Sequence, residues 1–191
     1  MRKIAKGAVA GLLFVALCLA AFGARAEARP CDSPSFYRLW GRGNCVWFAW
    51  VKARQEWGVR LPWAGDAKNW TRLAGARLRD DAGRECRLVP LDAPEPGCLV
   101  VMQPEAFGNM EYPCVSLGHV AWVAEAKELR VGWNDHPPEP TGWWELRLEE
   151  SSVHPDLRFC EGELNGCCWW RSVYFWRPGT PGVTFLGLRC A

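Results

Sequence analysis

The stretch GRGNCVWFAW, residues 41–50, sets a cysteine behind two glycines and an asparagine, at the head of an apolar run. Apolar residues then recur at helical spacing until Gly58, which is a typical helix stop. Asn44 is a residue type that caps helix starts well. The pattern predicts a helix over about 44–57 with Cys45 in its first turn. Unpaired backbone N–H groups and the helix dipole favour a thiolate at that position.

The first 26 residues read as a secretory signal peptide. A basic head precedes an uncharged apolar run over 8–22, and a small-x-small cleavage motif follows at 24–26. The run is shorter than the roughly 20 residues that a bilayer-spanning helix needs. We expect a mature chain from Glu27, secreted or periplasmic, with no stable membrane insertion once the signal is removed.

Residues 27–191 are long enough for one domain with its own core. We predict a single catalytic domain with a core over about 31–178 and a tail over 179–191 that packs back through Cys190. The signal segment holds four of the 23 basic residues and none of the 21 acidic ones, so the mature balance is slightly acidic. No basic block stands out, which argues against a nucleic-acid partner. We expect a monomer without a cofactor.

Nine of the ten cysteines lie outside the signal segment. Cysteines of exported proteins tend to pair, and an odd number leaves one free thiol. Cys45 is the candidate for that thiol, although its local sequence alone fits a disulfide equally well. There is no C-x-x-C motif, so no metal site is expected. The remaining eight are predicted to form disulfides: Cys31, Cys86, Cys98, Cys114, Cys160, Cys167, Cys168 and Cys190.

A thiolate nucleophile needs a base, and the chain contains three histidines. His136 and His154 lie in proline-containing loops. His119 opens the run GHVAWVAEA, in which alternate residues would share one face of a strand. His119 is therefore the candidate base.

A second strand-like run, LRVGWND, follows residues 126–127. If those two residues form a hairpin turn, His119 lies opposite Asn134, whose amide would orient the imidazole ring. A slip of one residue in this pairing makes Asp135 the alternative third residue.

Together these segments resemble the CHAP family, the cysteine- and histidine-dependent amidohydrolases and peptidases. The matching blocks occur in the family's order: GNCVWFAW, VRLPWAGDAKNW, PEPGCLVVM, GHVAWV and, more loosely, RSVYFWRPG. The resemblance implies that Cys45 and His119 are the reacting pair. Many members carry a Glu two residues before the Asn, where this chain has Gly132. Asn134 would then orient His119 alone, as in a Cys-His-Asn enzyme.

The resemblance implies an α+β, papain-like CHAP fold in which N-terminal helices pack on an antiparallel sheet. Residues 136–170 are interpreted as a disulfide-tied C-terminal insertion. The predicted helices span about 44–57 and 66–74, and the predicted strands span about 97–102, 119–125, 129–134 and 171–176.

The implied function is acyl transfer, in which the Cys45 thiolate attacks an amide carbonyl and His119 protonates the leaving amine. The family points to peptidoglycan or its stem peptides, hence to an N-acetylmuramoyl-L-alanine amidase or a peptidoglycan endopeptidase. Among the 13 tryptophans, most are expected in the core. Trp133, Trp143 and Trp144 are candidates for a substrate groove. A catalytically silent glycan- or peptide-binding envelope protein and a thiol–disulfide protein are the alternatives.

Overall fold

The computed structural model describes residues 44–108, 115–132, 137–151, 161–164 and 167–191. The described chain is α+β, with one α-helix, short 3-10 helices and a large antiparallel sheet. Within those residues, no helix has the length and apolar character that a membrane crossing requires.

Helix α1 spans Cys45–Glu56, as the sequence predicts. The Asn44 side chain accepts a hydrogen bond of 2.7 Å from the Trp47 backbone N–H, so it caps the helix. Trp57 closes the C-terminal end, and Gly58 then adopts a left-handed conformation with φ +67°. The helix is buried on all sides over residues 46–51, and it contacts the sheet strands β4 and β5, defined below.

The second predicted helix is a 3-10 helix, Ala67–Leu73. Its buried residues are Ala67, Trp70 and Leu73, three apart in sequence. A 3-10 helix has three residues per turn, so this spacing puts all three on one side. Two more 3-10 turns, Pro104–Phe107 and Val115–Leu117, lead toward β4.

Eight strands form the sheet in the order β1-β2-β8-β3-β4-β5-β7-β6, and each described pair is antiparallel. The strands are β1 (Arg77–Arg79), β2 (Glu85–Leu91), β3 (Leu99–Met102), β4 (His119–Val131), β5 (Glu139–Glu150), β6 (Gly162–Leu164), β7 (Cys167–Trp176) and β8 (Val183–Cys190).

The hairpin predicted at residues 126–127 is wrong, because β4 runs unbroken through them. Ala126 pairs with Leu146 and Lys127 pairs with Glu145, both on β5. Neither Ala nor Lys is a turn former, and the alternation of exposed and less exposed residues continues past them. The run predicted as a separate strand is the far end of β4.

The described part of residues 136–170 is not an insertion on the core, which corrects the sequence interpretation. It supplies β5, which lies between β4 and β7 in the sheet. Leu146 and Leu148 of β5 are 0% and 2% exposed and belong to the main core cluster. Residues predicted as a tail supply β8, which lies between β2 and β3.

Apolar side chains cover both faces of the central strands. On one face, the α1 C-cap residue Trp57 packs on Trp122 of β4, with ring centroids 5.1 Å apart. On the other, a buried cluster joins five strands, β3, β4, β5, β7 and β8, and includes the edge-to-face pair Trp176–Phe185. The members of this cluster are Cys98, Val100, Met102, Ala121, Val123, Leu146, Leu148, Trp176 and Phe185.

Candidate active site

Cys45 occupies the first position of α1 and carries a free, half-buried thiol. Its Sγ accepts hydrogen bonds from the backbone N–H groups of Val46, next in the helix, and Val120, on β4. It also forms a side-chain hydrogen bond with His119. The start of α1 therefore meets the start of β4 at this sulfur.

His119 is the first residue of β4, and its ring contacts the Cys45 thiol on one side and the Glu150 carboxylate on the other. Its Nε2 lies 2.5 Å from Oε2 of Glu150, the last residue of β5. That contact leaves Nδ1 for the Cys45 thiol. Both side chains are largely shielded, with 20% of His119 and 13% of Glu150 exposed to solvent. The three side chains thus form a continuous relay of sulfur, imidazole and carboxylate.

Gly118 fixes the path of the chain into His119. Its φ is +73°, in the left-handed region that favours glycine. A Cβ there would lie 2.7 Å from the Met102 carbonyl oxygen and 2.9 Å from the Lys68 backbone nitrogen. The absence of a side chain at Gly118 therefore allows the turn before β4 to pack against β3 and the 3-10 helix Ala67–Leu73.

The pKa values of the relay shift in opposite directions. Burial raises the pKa of the Cys45 thiol, but His119 and the two backbone N–H groups outweigh it, so the pKa falls below its ordinary 9.0. Burial lowers the pKa of His119, but Cys45 and Glu150 together raise it to about 10. A thiolate and an imidazolium therefore coexist in the pH range between the Cys45 pKa, which lies below 9.0, and the His119 pKa of about 10.

Glu150 remains ionised within this relay. Burial raises the pKa of its carboxyl, but His119 foremost, then Ser172 and Trp170 of β7, hold the net pKa below 4.5. Trp170 lies directly opposite Glu150 in the sheet. The carboxylate is thus held from β7 while its Oε2 meets the histidine.

Sequence reasoning missed Glu150, although one signal for it exists. In WELRLEE, residues 144–150, the buried Leu146 and Leu148 alternate with charged residues, and Glu150 falls on the same phase. A carboxylate that continues an apolar face needs a partner. That partner is His119, which contacts Glu150 where β4 begins and β5 ends.

The residues predicted to orient His119 lie outside the described part of the chain. These are Asn134 and the alternative Asp135; Trp133, His136 and His154 are likewise not described. The register that placed Asn134 opposite His119 is wrong, because it required a turn at residues 126–127, where β4 continues and pairs with β5.

Trp143 and Trp144 do not flank the site, so their assignment to a substrate groove is wrong. Trp144 pairs with Glu128, nine residues along β4 from His119. At about 3.3 Å per residue, that separation is roughly 30 Å. Trp143 packs beneath the Arg177 guanidinium at 5.0 Å. Among the described residues, Trp170 contacts Glu150 of the site, and Trp169 stacks on Phe48 of α1.

Some of the described cysteines form disulfides, and others carry free thiols. Cys86 and Cys190 form a disulfide between β2 and β8, and Cys168 is disulfide-bonded as well. Cys98 is a free thiol, 2% exposed, which corrects its predicted disulfide. It lies within the core cluster, where it packs as a small apolar side chain. Cys31, Cys114 and Cys160 lie outside the described residues, as does the side chain of Cys167.

One group of potential metal ligands occurs among the described residues: Asp80, Cys86 and Cys190. The two sulfurs are joined to each other, so they offer no thiolates to a cation. The two cysteines lie on β2 and β8 and Asp80 directly follows β1, so the group does not lie beside Cys45.

The comparison with protein families gives one match. A family model described as CHAP domain matches residues 34–132, slightly more than half of the 191-residue chain. The matched range contains Cys45 and His119, but not Glu150. No curated protein and no solved structure gives a significant match.

Proposed function

The chain belongs to the CHAP domain family, and from that premise we propose that it is an exported cysteine hydrolase acting on amide bonds of bacterial peptidoglycan. The family match supports a hydrolase of the amidase or peptidase kind, with a peptidoglycan-related substrate. The observation that carries the proposal is that His119 touches both the Cys45 thiol and the Glu150 carboxylate. Export is proposed on the signal-like residues 1–26.

The proposed reaction has two acyl-transfer steps. The Cys45 thiolate attacks the amide carbonyl, a C–S bond forms, and the His119 Nδ1–H donates its proton to the leaving nitrogen. His119, now neutral, takes a proton from water, and the resulting hydroxide releases the acyl group and restores the thiolate. The backbone N–H of Cys45 has no acceptor within the helix and is the proposed oxyanion donor.

Glu150 is a positioning residue in this proposal. Its Oε2 accepts the His119 Nε2–H, which presents Nδ1 to the sulfur and stabilises the imidazolium. It takes the role that the sequence assigned to Asn134 or Asp135. A glutamate contributes a full negative charge, so it favours the charged histidine more strongly than an amide does.

Two bonds are candidates for cleavage. One is the amide between muramic acid and its stem peptide, and the other lies within the stem peptides. Purified residues 27–191, incubated with peptidoglycan and followed by mass analysis of the soluble products, separate these by the mass of the released fragments. The control variants are Cys45→Ala, which should release nothing, and Cys98→Ala, which removes the other free thiol among the described residues and should remain active.

The alternatives predict other results in the same experiment. A silent binding protein on this fold would sediment with peptidoglycan and release no fragment. A thiol–disulfide protein would act on a disulfide substrate and leave peptidoglycan intact. Either result would overturn the proposed hydrolase.

A further inference from the structure

Three arginines lie side by side across β1, β2 and β8. Arg77 pairs directly with Arg87, and Arg87 pairs directly with Arg189. We call these three residues the arginine row; all are exposed. Neighbouring strands lie about 4.8 Å apart, so the row is roughly 10 Å long. Like charges in directly opposed positions destabilise a sheet, so the fold alone does not favour this arrangement.

Acidic side chains neutralise only part of the row. Arg189 donates to both carboxylate oxygens of Glu95, at 2.7 and 2.9 Å. The Arg87 Nε–H donates a 3.3 Å hydrogen bond to the Gly75 carbonyl. This bond holds the Arg87 side chain in place, but the carbonyl does not neutralise its positive charge. Within the described residues, neither Arg77 nor Arg87 forms an ion pair, although Glu85 lines the same cleft.

The row lines a cleft of about 460 Å³. Arg79 also lines it and forms a 3.5 Å ion pair with Glu85. The disulfide Cys86–Cys190 joins the residues that precede Arg87 and follow Arg189, so the strands that carry these two arginines are covalently linked. The cleft is therefore a rigid, positively charged groove on the β1 side of the sheet.

We propose that the arginine row binds a polyol-phosphate polymer, that is, an uncharged polyol chain joined by phosphodiesters. Guanidinium groups pair with phosphate oxygens through two parallel N–H bonds. A linear chain laid across the strands would meet successive guanidinium groups, which a single small anion cannot do. The residues that line the cleft include no aromatic side chain, whereas single-stranded nucleic acids are held by stacking on aromatics. That difference favours a polymer without bases.

The row is separate from the hydrolase site, so this proposal does not depend on the proposed function. The sheet order puts β3 and β8 between β2 and β4, where His119 lies. Binding is therefore measured with the Cys45→Ala chain, which leaves the row intact and excludes any turnover of the polymer.

The test is equilibrium binding of poly(glycerol phosphate) at several salt concentrations. We expect Arg77→Gln/Arg87→Gln to weaken binding at least 10-fold and to reduce the slope of log affinity against log salt by about 2. The matched control is Arg130→Gln/Arg147→Gln, which removes two exposed strand arginines elsewhere and should change neither. Without polymer, the row variant should also unfold at a higher temperature, because it relieves the opposed charges.

Three outcomes would overturn the proposal. The first is no binding of poly(glycerol phosphate), and the second is an equal loss in the row and control variants. The third is binding of polyglutamate or of a thymidine oligonucleotide as tight as that of poly(glycerol phosphate), which would indicate general attraction of anions. Circular dichroism checks that the double variant Arg77→Gln/Arg87→Gln is folded. If it is not, Arg77→Gln alone is compared with the parent chain. We then expect weaker binding and a decrease of about 1 in the slope of log affinity against log salt.

Discussion

At the scale of single residues, the site divides into what the sequence reveals and what it does not. Cys45 is marked by its own neighbours, namely a helix cap before it and an amphipathic run after it. His119 is marked by a strand pattern and by the loops around the other two histidines. Glu150 lies 31 residues from His119 in the sequence, and none of its sequence neighbours indicates a catalytic role. Its partner is fixed by strand register, which a single sequence specifies poorly.

Replacement of Glu150 by Gln tests the third residue. The amide keeps the size and can still accept the His119 N–H, but it removes the charge that stabilises the imidazolium. We expect turnover to fall by about 10²-fold, less than for His119→Ala, because a general base contributes about 10²–10⁴-fold. The measurement is a rate series on one peptidoglycan substrate.

The same series includes Asn134→Ala and Asp135→Ala, the residues that the sequence favoured. Each should cost less than Glu150→Gln. A larger loss at either residue would return the orienting role to it and would reject Glu150.

The pH dependence of Cys45 alkylation tests the ion pair directly. The lowered pKa of Cys45 predicts that iodoacetamide reacts at half its maximal rate below pH 9.0, and that reactivity is lost as the pH falls through that midpoint. Glu150→Gln should move the midpoint upward, because the imidazolium beside the sulfur loses its carboxylate. Hydrolysis, unlike alkylation, should also decline as the pH rises through the His119 pKa of about 10.

Cys98 provides the internal reference for that experiment. Burial raises its pKa to about 11 and leaves it 2% exposed, so it should label only after unfolding. A midpoint for Cys45 at or above 9.0, or labelling of Cys98 in the native chain, would contradict the structure.

At the scale of elements, local patterns predict α1 well and β4 poorly. The cap, the apolar spacing and the stop of α1 lie within 15 residues of each other, and all agree. For β4, the hairpin hypothesis placed a turn at residues 126–127, in the charged half of a strand that is in fact continuous. Lys127 is tolerated there because it pairs with Glu145 across the strands. Opposite charges at such positions stabilise a sheet, but the partner cannot be known before the pairing is known.

Gly118 and Gly83 make a matched pair for testing how β4 is positioned. Both have positive φ, +73° and +82°, so alanine at either site carries the same backbone strain. Only at Gly118 would the Cβ also collide with backbone, while Gly83 has nothing within 4 Å. We expect Gly118→Ala to lower turnover at least 10-fold, because the turn before His119 must shift, and a 1 Å misplacement can cost about 10²-fold.

Gly83→Ala should lose only the modest stability that the strain at a positive φ implies, about 1–2 kcal/mol, and should keep its turnover. Urea unfolding and the peptidoglycan rate are measured for both variants. Equal turnover in the two variants would mean that the close packing at Gly118 does not position His119.

At the scale of the whole molecule, strand order carries information that no local pattern holds. The sheet inserts β8, the last strand of the chain, between β2 and β3. The cysteine content of the chain could suggest that the C-terminal segment is held to the core by a disulfide at Cys190. Its partner Cys86 could not be named, because the pairing depends on which strands become neighbours. The same long-range order makes β5, within residues 136–170, part of the core sheet.

Removal of the Cys86–Cys190 disulfide is the last prediction, and it concerns this long-range closure. The bond spans 104 residues of sequence, so chain-entropy arguments give it about 4–5 kcal/mol of stabilisation. We expect Cys86→Ser/Cys190→Ser to lose much of that free energy of unfolding in urea, yet to keep its turnover at low temperature, because β3 and β8 separate β2 from β4. Cys98→Ala is the control, since it also alters a buried sulfur but breaks no cross-link. If both variants lose the same stability, the disulfide contributes packing alone; if turnover falls with the disulfide while the chain stays folded, the β1–β2–β8 side of the sheet takes part in positioning His119.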